Sequence, residues 1–405
     1  MAKPEIRLKG FEGEWEDVCF RDITYLAGTK NRDNLPLPSY SITNENGFVP
    51  QNEQFENGGT MANADKRMYY IVIPDTFAYN PARINVGSIG YDDLDKDVIV
   101  SSLYVIFKTD CKTNNYFLDK WFKTPHFKKL INLYQEGGVR LYFFYDKLCQ
   151  CHLFRPELKE QQSIANYFKS LDSMIQGVTK KIASLKQMKQ ACLVSMFPQG
   201  GETTPRVRFK GFKGEWEIVK LSSIATRVTR KNSHLESTLP LTISAAEGLI
   251  EQTAFFNNVV ASSNVSGYYL VKRGEFAYNK SYSNGYPFGA VKRLDKYDMG
   301  VLSTLYIVFS VDKAVCSDYI VHFFDTSLWH QEVAKRAAEG ARNHGLLNIG
   351  AEDFLDIDIV LPKSKEEQQK IASYFTSLDK QISLQEARLE KLKHIKSACL
   401  DKMFV

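Results

Sequence analysis

The sequence predicts an α+β protein in which two mixed α/β domains form a tandem, pseudo-twofold repeat, joined by two long helices that pair as an antiparallel coiled coil. Three observations predict it. The chain repeats itself with a period of about 200 residues, and each copy reads as short strands punctuated by turns. Each copy then closes on a charged segment whose apolar residues recur at four- and three-residue steps.

The repeat is carried by four collinear matches. IRLKGFEGEWE (residues 6–16) returns as VRFKGFKGEWE (207–217), identical at 8 of 11 positions. FAYN stands at 77–80 and 276–279, and LYVIF (103–107) is answered by LYIVF (305–309). EQQSIANYFKSLD (160–172) reappears as EQQKIASYFTSLD (367–379), identical at 10 of 13. The expected order is therefore a first domain at 1–155, a first long helix at 156–198 and a linker at 199–206. A second domain at 207–362 and a second long helix at 363–405 follow. FPQGGETTPR (197–206), with two Pro and two Gly, is a loop by composition.

Within the first domain, the β-branched and aromatic runs at 69–73 and 98–107 predict strands, and 114–131 predicts a helix. In the second, 317–337 has a Ser-Asp start and helical apolar spacing, and 355–361 predicts a strand. The first charged segment places Ile164, Phe168, Leu171, Ile175, Val178, Ile182 and Leu185 on one seam; the second places Ile371, Phe375, Leu378, Ile382, Leu389 and Leu392, with Gln385 as one polar intrusion. The two segments align without a gap at an offset of 207, so length is held as well as pattern. Each helix would be roughly 55 Å long. Pro156 suits a first helical turn, and Ser364 with Glu367 suits a capping box.

Composition excludes several classes. Hydrophobic residues at 44% and charged residues at 24% are those of a folded chain, not a disordered one. The apolar runs are strand-sized and the opening residues lack a secretory apolar stretch, so a cytoplasmic protein without membrane contact is expected. Seven cysteines at irregular spacing point to reduced thiols. A net charge of +5 permits nucleic acid without demanding it.

The repeated GFxGEW entry, the EQQxIAxYFxSLD helix start and FAYNPARINVGSIG (77–90) together resemble type I restriction-modification specificity subunits over the full length. The resemblance implies two target-recognition domains, each reading half of a bipartite site in double-stranded DNA, with the helices setting the gap between halves. It implies two methyltransferase subunits and the restriction subunits, which are ATPases and nucleases, as partners. S-adenosylmethionine, ATP and Mg would belong to those partners and no cofactor to this chain.

DNA reading needs donors and acceptors at base edges and cations at phosphates. YNKSYSNGYPFGAVKR (278–293) offers Asn279, Lys280, Ser281, Tyr282, Ser283, Asn284 and Tyr286 on a turn. The equivalent first-copy loop offers Tyr79, Asn80, Arg83, Asn85 and Ser88. The Gly-rich segments around Arg140 and Arg342 read either as groove or phosphate contacts or as helix ends followed by a salt-bridged Arg. Basic clusters at 120–129 and at Arg227, Arg230 and Lys231 could flank a duplex. Trp15 and Trp216 read either as anchors for a partner subunit or as core residues.

Enzyme readings find no machinery. Asn80-Pro81-Ala82-Arg83 falls short of an adenine-flipping NPPY motif, and no Walker loop is present. Pro74-Asp75 and Glu157-Leu158-Lys159 have no counterpart in the second copy, which argues against a nuclease. Cys149, Cys151 and His152 lack a second ligand pair for zinc. A non-catalytic DNA-reading subunit is the leading expectation; a coiled-coil adaptor binding proteins and a standalone modification enzyme are the alternatives.

Overall fold

A computed structural model of the chain describes residues 3–44, 46–54, 65–244, 248–256, 264–281, 286–337 and 347–405. It divides into two compact units: residues 1–180 with 387–405, and residues 181–386. Each unit holds one α+β domain, the end of one long helix and the beginning of the other. The domain bounds expected from sequence lie at the ends of the long helices, whereas the compact units divide within them. Among the described residues no helix is long and apolar enough to cross a membrane.

In the first unit, Thr24–Leu26, Val105–Thr109, Thr76–Tyr79 and Ile89–Asp92 form a four-stranded antiparallel sheet in that order. The two short repeated motifs are thus neighbours: Phe77 pairs with Phe107 in register, and their rings stack at 5.0 Å. Thr29–Lys30, Tyr70–Val72 and Val98–Val100 make a second sheet, and Tyr40–Thr43 with Gly47–Pro50 a hairpin. The second unit repeats the plan with Ala225–Arg227, Ile307–Val311, Phe276–Asn279 and Ala290–Arg293. There Phe276 stacks on Phe309 at 5.2 Å.

The entry and helix-start motifs also meet. The strand Glu16–Cys19 pairs with His152–Arg155, and Glu217–Lys220 with Asp358–Leu361, so the entry segment lies against the strand that leads into each long helix. Arg7 clasps Glu160 with two hydrogen bonds of 2.8 and 2.7 Å, and Arg208 clasps Glu367 at 2.7 and 2.8 Å. The neighbouring glutamines hold a second junction. Gln161 accepts from the Asn114 N–H and donates to the Lys112 and Pro156 carbonyls, while Gln368 accepts from the Cys316 N–H and donates to Pro362. Each Gln therefore fastens the start of its domain's helix to the long helix.

The long helices span Leu158–Met196 and Lys365–Lys402. In the first unit Tyr167 meets Cys399 at 3.5 Å, and Asp172 meets Lys396 at 2.6 Å. One helix advances while the other retreats, so the pair is antiparallel. The second unit gives the same sense: Cys192 with Tyr374 at 3.3 Å, Lys189 with Asp379 at 2.8 Å, Lys186 with Glu386 at 2.7 Å. The seam predicted from the heptads is buried at Ile164, Phe168, Leu171, Val178, Ile182, Leu185, Ile371, Phe375, Leu378 and Ile382. Ile175, Leu389 and Leu392 are half-buried.

Five local expectations are corrected. The helix expected at 317–337 is two, Ser317–Phe323 and Leu328–Arg336, and that at 114–131 is Asn115–Trp121 and Pro125–Tyr134. The breaks lie at Thr326 and Thr124, whose hydroxyls donate to the Phe323 and Trp121 carbonyls and so compete with the helix ladder. The strand expected at 98–107 turns at Ser101–Tyr104, and residues 351–355 are helical ahead of the last strand. At the second long helix Ser364 caps Glu367 N–H at 3.3 Å, but the Glu367 carboxylate goes to Arg208 and not back to the cap.

Asp92 carries a pH prediction. It is fully buried, with Oδ1 accepting from Leu94 N–H and Oδ2 unpartnered, and burial, reinforced by Asp93, Asp75 and Asp97, pushes it up to about 7 from 3.8. Between those values the folded chain holds a proton that the unfolded chain has released. Stability is therefore full at acid pH and falls as pH climbs toward 7. Asp92→Asn keeps the acceptor for Leu94 and should raise stability by about 1–3 kcal/mol at pH 8 but not at pH 4. Urea midpoints at the two pH values check this.

Candidate nucleic-acid interface

In both units the loop after FAYN is built on the same backbone frame. Asn80 Oδ1 accepts from Ala82 N–H at 3.0 Å, and Asn279 Oδ1 from Ser281 N–H at 3.0 Å, an Asx turn in each case. One residue on, Pro81 O accepts from Phe143 N–H at 3.0 Å, and Lys280 O from Leu347 N–H at 2.9 Å. The second candidate segment, around Arg140, thereby leads directly into a residue tied to the first. Its counterpart around Arg342 lies outside the described residues, as do Tyr282, Ser283 and Asn284.

In the first unit the loop folds back through Asn80 N–H to Ser88 O at 3.0 Å, with a 3₁₀ turn at Ile84–Val86. Burial of Ile84 turns the flanking side chains outward, and Arg83, Asn85 and Arg140 are exposed. No described residue bonds these three side chains. In the second unit Tyr286 is exposed, Ser281 is half-buried, and Lys280 donates to Ile349 O at 3.3 Å. Gly289 closes this loop at φ +78°, where a Cβ would lie 2.0 Å from Asn279 O, so only glycine fits.

Several expected reading residues face inward. Tyr79 is buried against Phe107 and Phe143, and burial lifts its hydroxyl far above the ordinary range. Ser88 is buried and donates to Ile42 O at 2.8 Å. These two, with the Asx-turn side chains of Asn80 and Asn279, shape the loop from beneath. Trp15 and Trp216 are core residues: each is buried, edge-on to Phe117 and Tyr319 respectively, at 6.2 Å. They are not exposed anchors. The GFxGEW pattern signals the ring packing of the core.

Of the basic clusters, Lys120 is buried between Asp119 and Asp172 at 3.0 Å each, and Arg230 is paired with Glu275. Lys128, Lys129 and Arg227 stay exposed. In the second unit Lys292, on the strand leaving the candidate loop, meets Asp325 at 3.4 Å, and Lys189 bridges Asp325 and Asp379. Burial alone would raise Asp325, but the His322 ring 3.5 Å away and the charges of Lys292 and Lys189 hold it below the ordinary carboxylate range. His322, Asp325 and Asp379 are the one group among the described residues spaced for a metal ion, and two ammonium groups already neutralise its carboxylates. His152 pairs with Asp17 at 2.9 Å, away from the buried Cys151.

Residues 213–394 match the family of the type I restriction modification DNA specificity domain. The fold is similar to that of the S subunit of the type I restriction-modification system from M. genitalium, with a TM-score of 0.59 at 12% identity over 100% of this chain and 99% of that one. It is also similar to a chain from a structure on complex assembly and conformational transition of the type I R-M system, with a TM-score of 0.53 at 12% identity over 97% and 98%. No curated protein matches.

Proposed function

We propose that this chain is a type I restriction-modification specificity subunit and that it reads an asymmetric, bipartite site in duplex DNA, one half with each unit. The observation that carries the reading is the duplicated loop frame. The same Asx turn and the same clasp to the following segment recur in both units. The exposed residues differ: Arg83 and Asn85 in one, Tyr286 in the other. One scaffold with two sets of base-edge groups is what two different half-sites require.

In this reading the chain is non-catalytic. Two methyltransferase subunits and the restriction subunits bind it, and S-adenosylmethionine, ATP and Mg belong to them. The chain works in the cytoplasm. The paired helices set the distance between half-sites, since their length is the same in both copies.

Adenine-methylation mapping in cells with and without the chain tests the reading. The expected result is a split motif that appears only with the chain, one half of which changes when residues 1–155 are exchanged for another reader. A continuous motif, or methyl transfer by the purified chain alone, overturns it.

A further inference from the structure

The hairpin at residues 136–142 has features that base reading does not use. Glu136 and Tyr142 exchange two backbone hydrogen bonds of 2.8 Å, and Glu136 is paired with Lys147 at 3.0 Å. Gly137 sits at φ +136° where a Cβ would lie 2.1 Å from Arg140 O, so the turn closes as tightly as a backbone allows. The hairpin is thus a stiff projection. Phe143, fully buried at its base, hydrogen-bonds the reading loop through Pro81. Its outer end is apolar: Val139 is fully exposed and Leu141 is 41% exposed, with Arg140 between them.

Exposing two aliphatic side chains on a rigid projection costs solvation free energy with no return inside the protein. The setting names the occupant. Arg140, and Arg83 on the loop clasped to the hairpin, are exposed and without side-chain partners among the described residues, so the apolar end is framed by cations that fit a phosphate backbone. Aliphatic side chains flanked by arginine are the chemistry by which proteins enter and unstack a base step. In the second copy the corresponding sequence carries Arg342, Asn343 and His344, which are polar.

We propose that this hairpin is a wedge that opens a base step beside the half-site read by the first unit, with Val139 and Leu141 as the inserted groups. The proposal rests on the specificity reading and adds to it a distortion confined to one half. Opening a step lowers the cost of extruding a nearby base for chemistry.

The test uses the full chain and a duplex bearing the motif found by methylation mapping, with 2-aminopurine placed in turn at positions within and beside each half-site. Wild-type chain should raise fluorescence severalfold at one step by the first half and at none by the second. Val139→Ser with Leu141→Ser should lose most of that rise while the anisotropy-measured affinity, at one fixed salt concentration, changes less than about threefold. Val139→Leu should keep the rise. A rise that survives the double serine variant, or tight binding by wild type with no rise at any position, overturns the wedge. A wild-type chain that fails to bind the duplex overturns the specificity reading instead, and the wedge with it.

Discussion

Replacing Arg208 with alanine should destabilise the second unit by about 3–5 kcal/mol, because it strands a buried carboxylate. Glu367 is 1% exposed, and both its oxygens accept from the Arg208 guanidinium. The same guanidinium donates to the Gly214 and Lys213 carbonyls, fastening the entry segment to the long helix. Arg208→Lys should recover little, since an ammonium cannot reproduce the two-pronged contact. Arg208→Ala combined with Glu367→Gln should recover a good part, because no unpaired charge remains. Denaturant midpoints with hydrogen exchange along residues 207–221 would check this; a loss under about 1 kcal/mol would show the pair to be ornamental to the fold.

The second large effect is expected at Phe375, where alanine should cost about 3–5 kcal/mol through the cavity it leaves. Phe375 is fully buried, with ring neighbours Phe197 at 5.9 Å and His322 at 5.5 Å. Phe197 in turn packs on Tyr319 at 5.5 Å. The first unit holds the same arrangement, Phe168 with Phe404 at 5.9 Å and Phe404 with Phe117 at 5.3 Å. Phe168→Ala should therefore lower the first unit's stability by a similar amount. Phe375→Leu should cost less than half as much as Phe375→Ala in the same denaturation series.

These two junctions show what was legible. Repetition of RxKGFxGEW and EQQ was plain in the chain, and the heptad seam named ten side chains that are buried. What repetition could not show is that the Arg of one motif meets the Glu of the other across 153 and 159 residues. No local spacing encodes such a contact. Tyr79 was misread for a related reason. Thr76–Tyr79 is buried along its whole length, so alternate positions give no inside and outside signal, and a tyrosine beside a polar loop looks available when it is core. The aliphatic end of the 136–142 hairpin was legible only as a glycine-rich turn. Its rigidity comes from the Glu136–Tyr142 pairing, which emerges in three dimensions.

The division of the chain into a continuous unit and a split one bears on its biosynthesis. Cys399, Met403 and Phe404 belong to the same core cluster as Trp15, Phe20 and Phe117, and the Ile6 N–H bonds Lys402 O. The ribosome makes those late residues only after all of residues 181–386, so the first unit waits roughly 10 to 40 s at ordinary elongation rates with part of its interior open to water. The second unit can finish first. Losing residues 387–405 would thus be felt at the opposite end of the polypeptide, in a domain whose own sequence is intact.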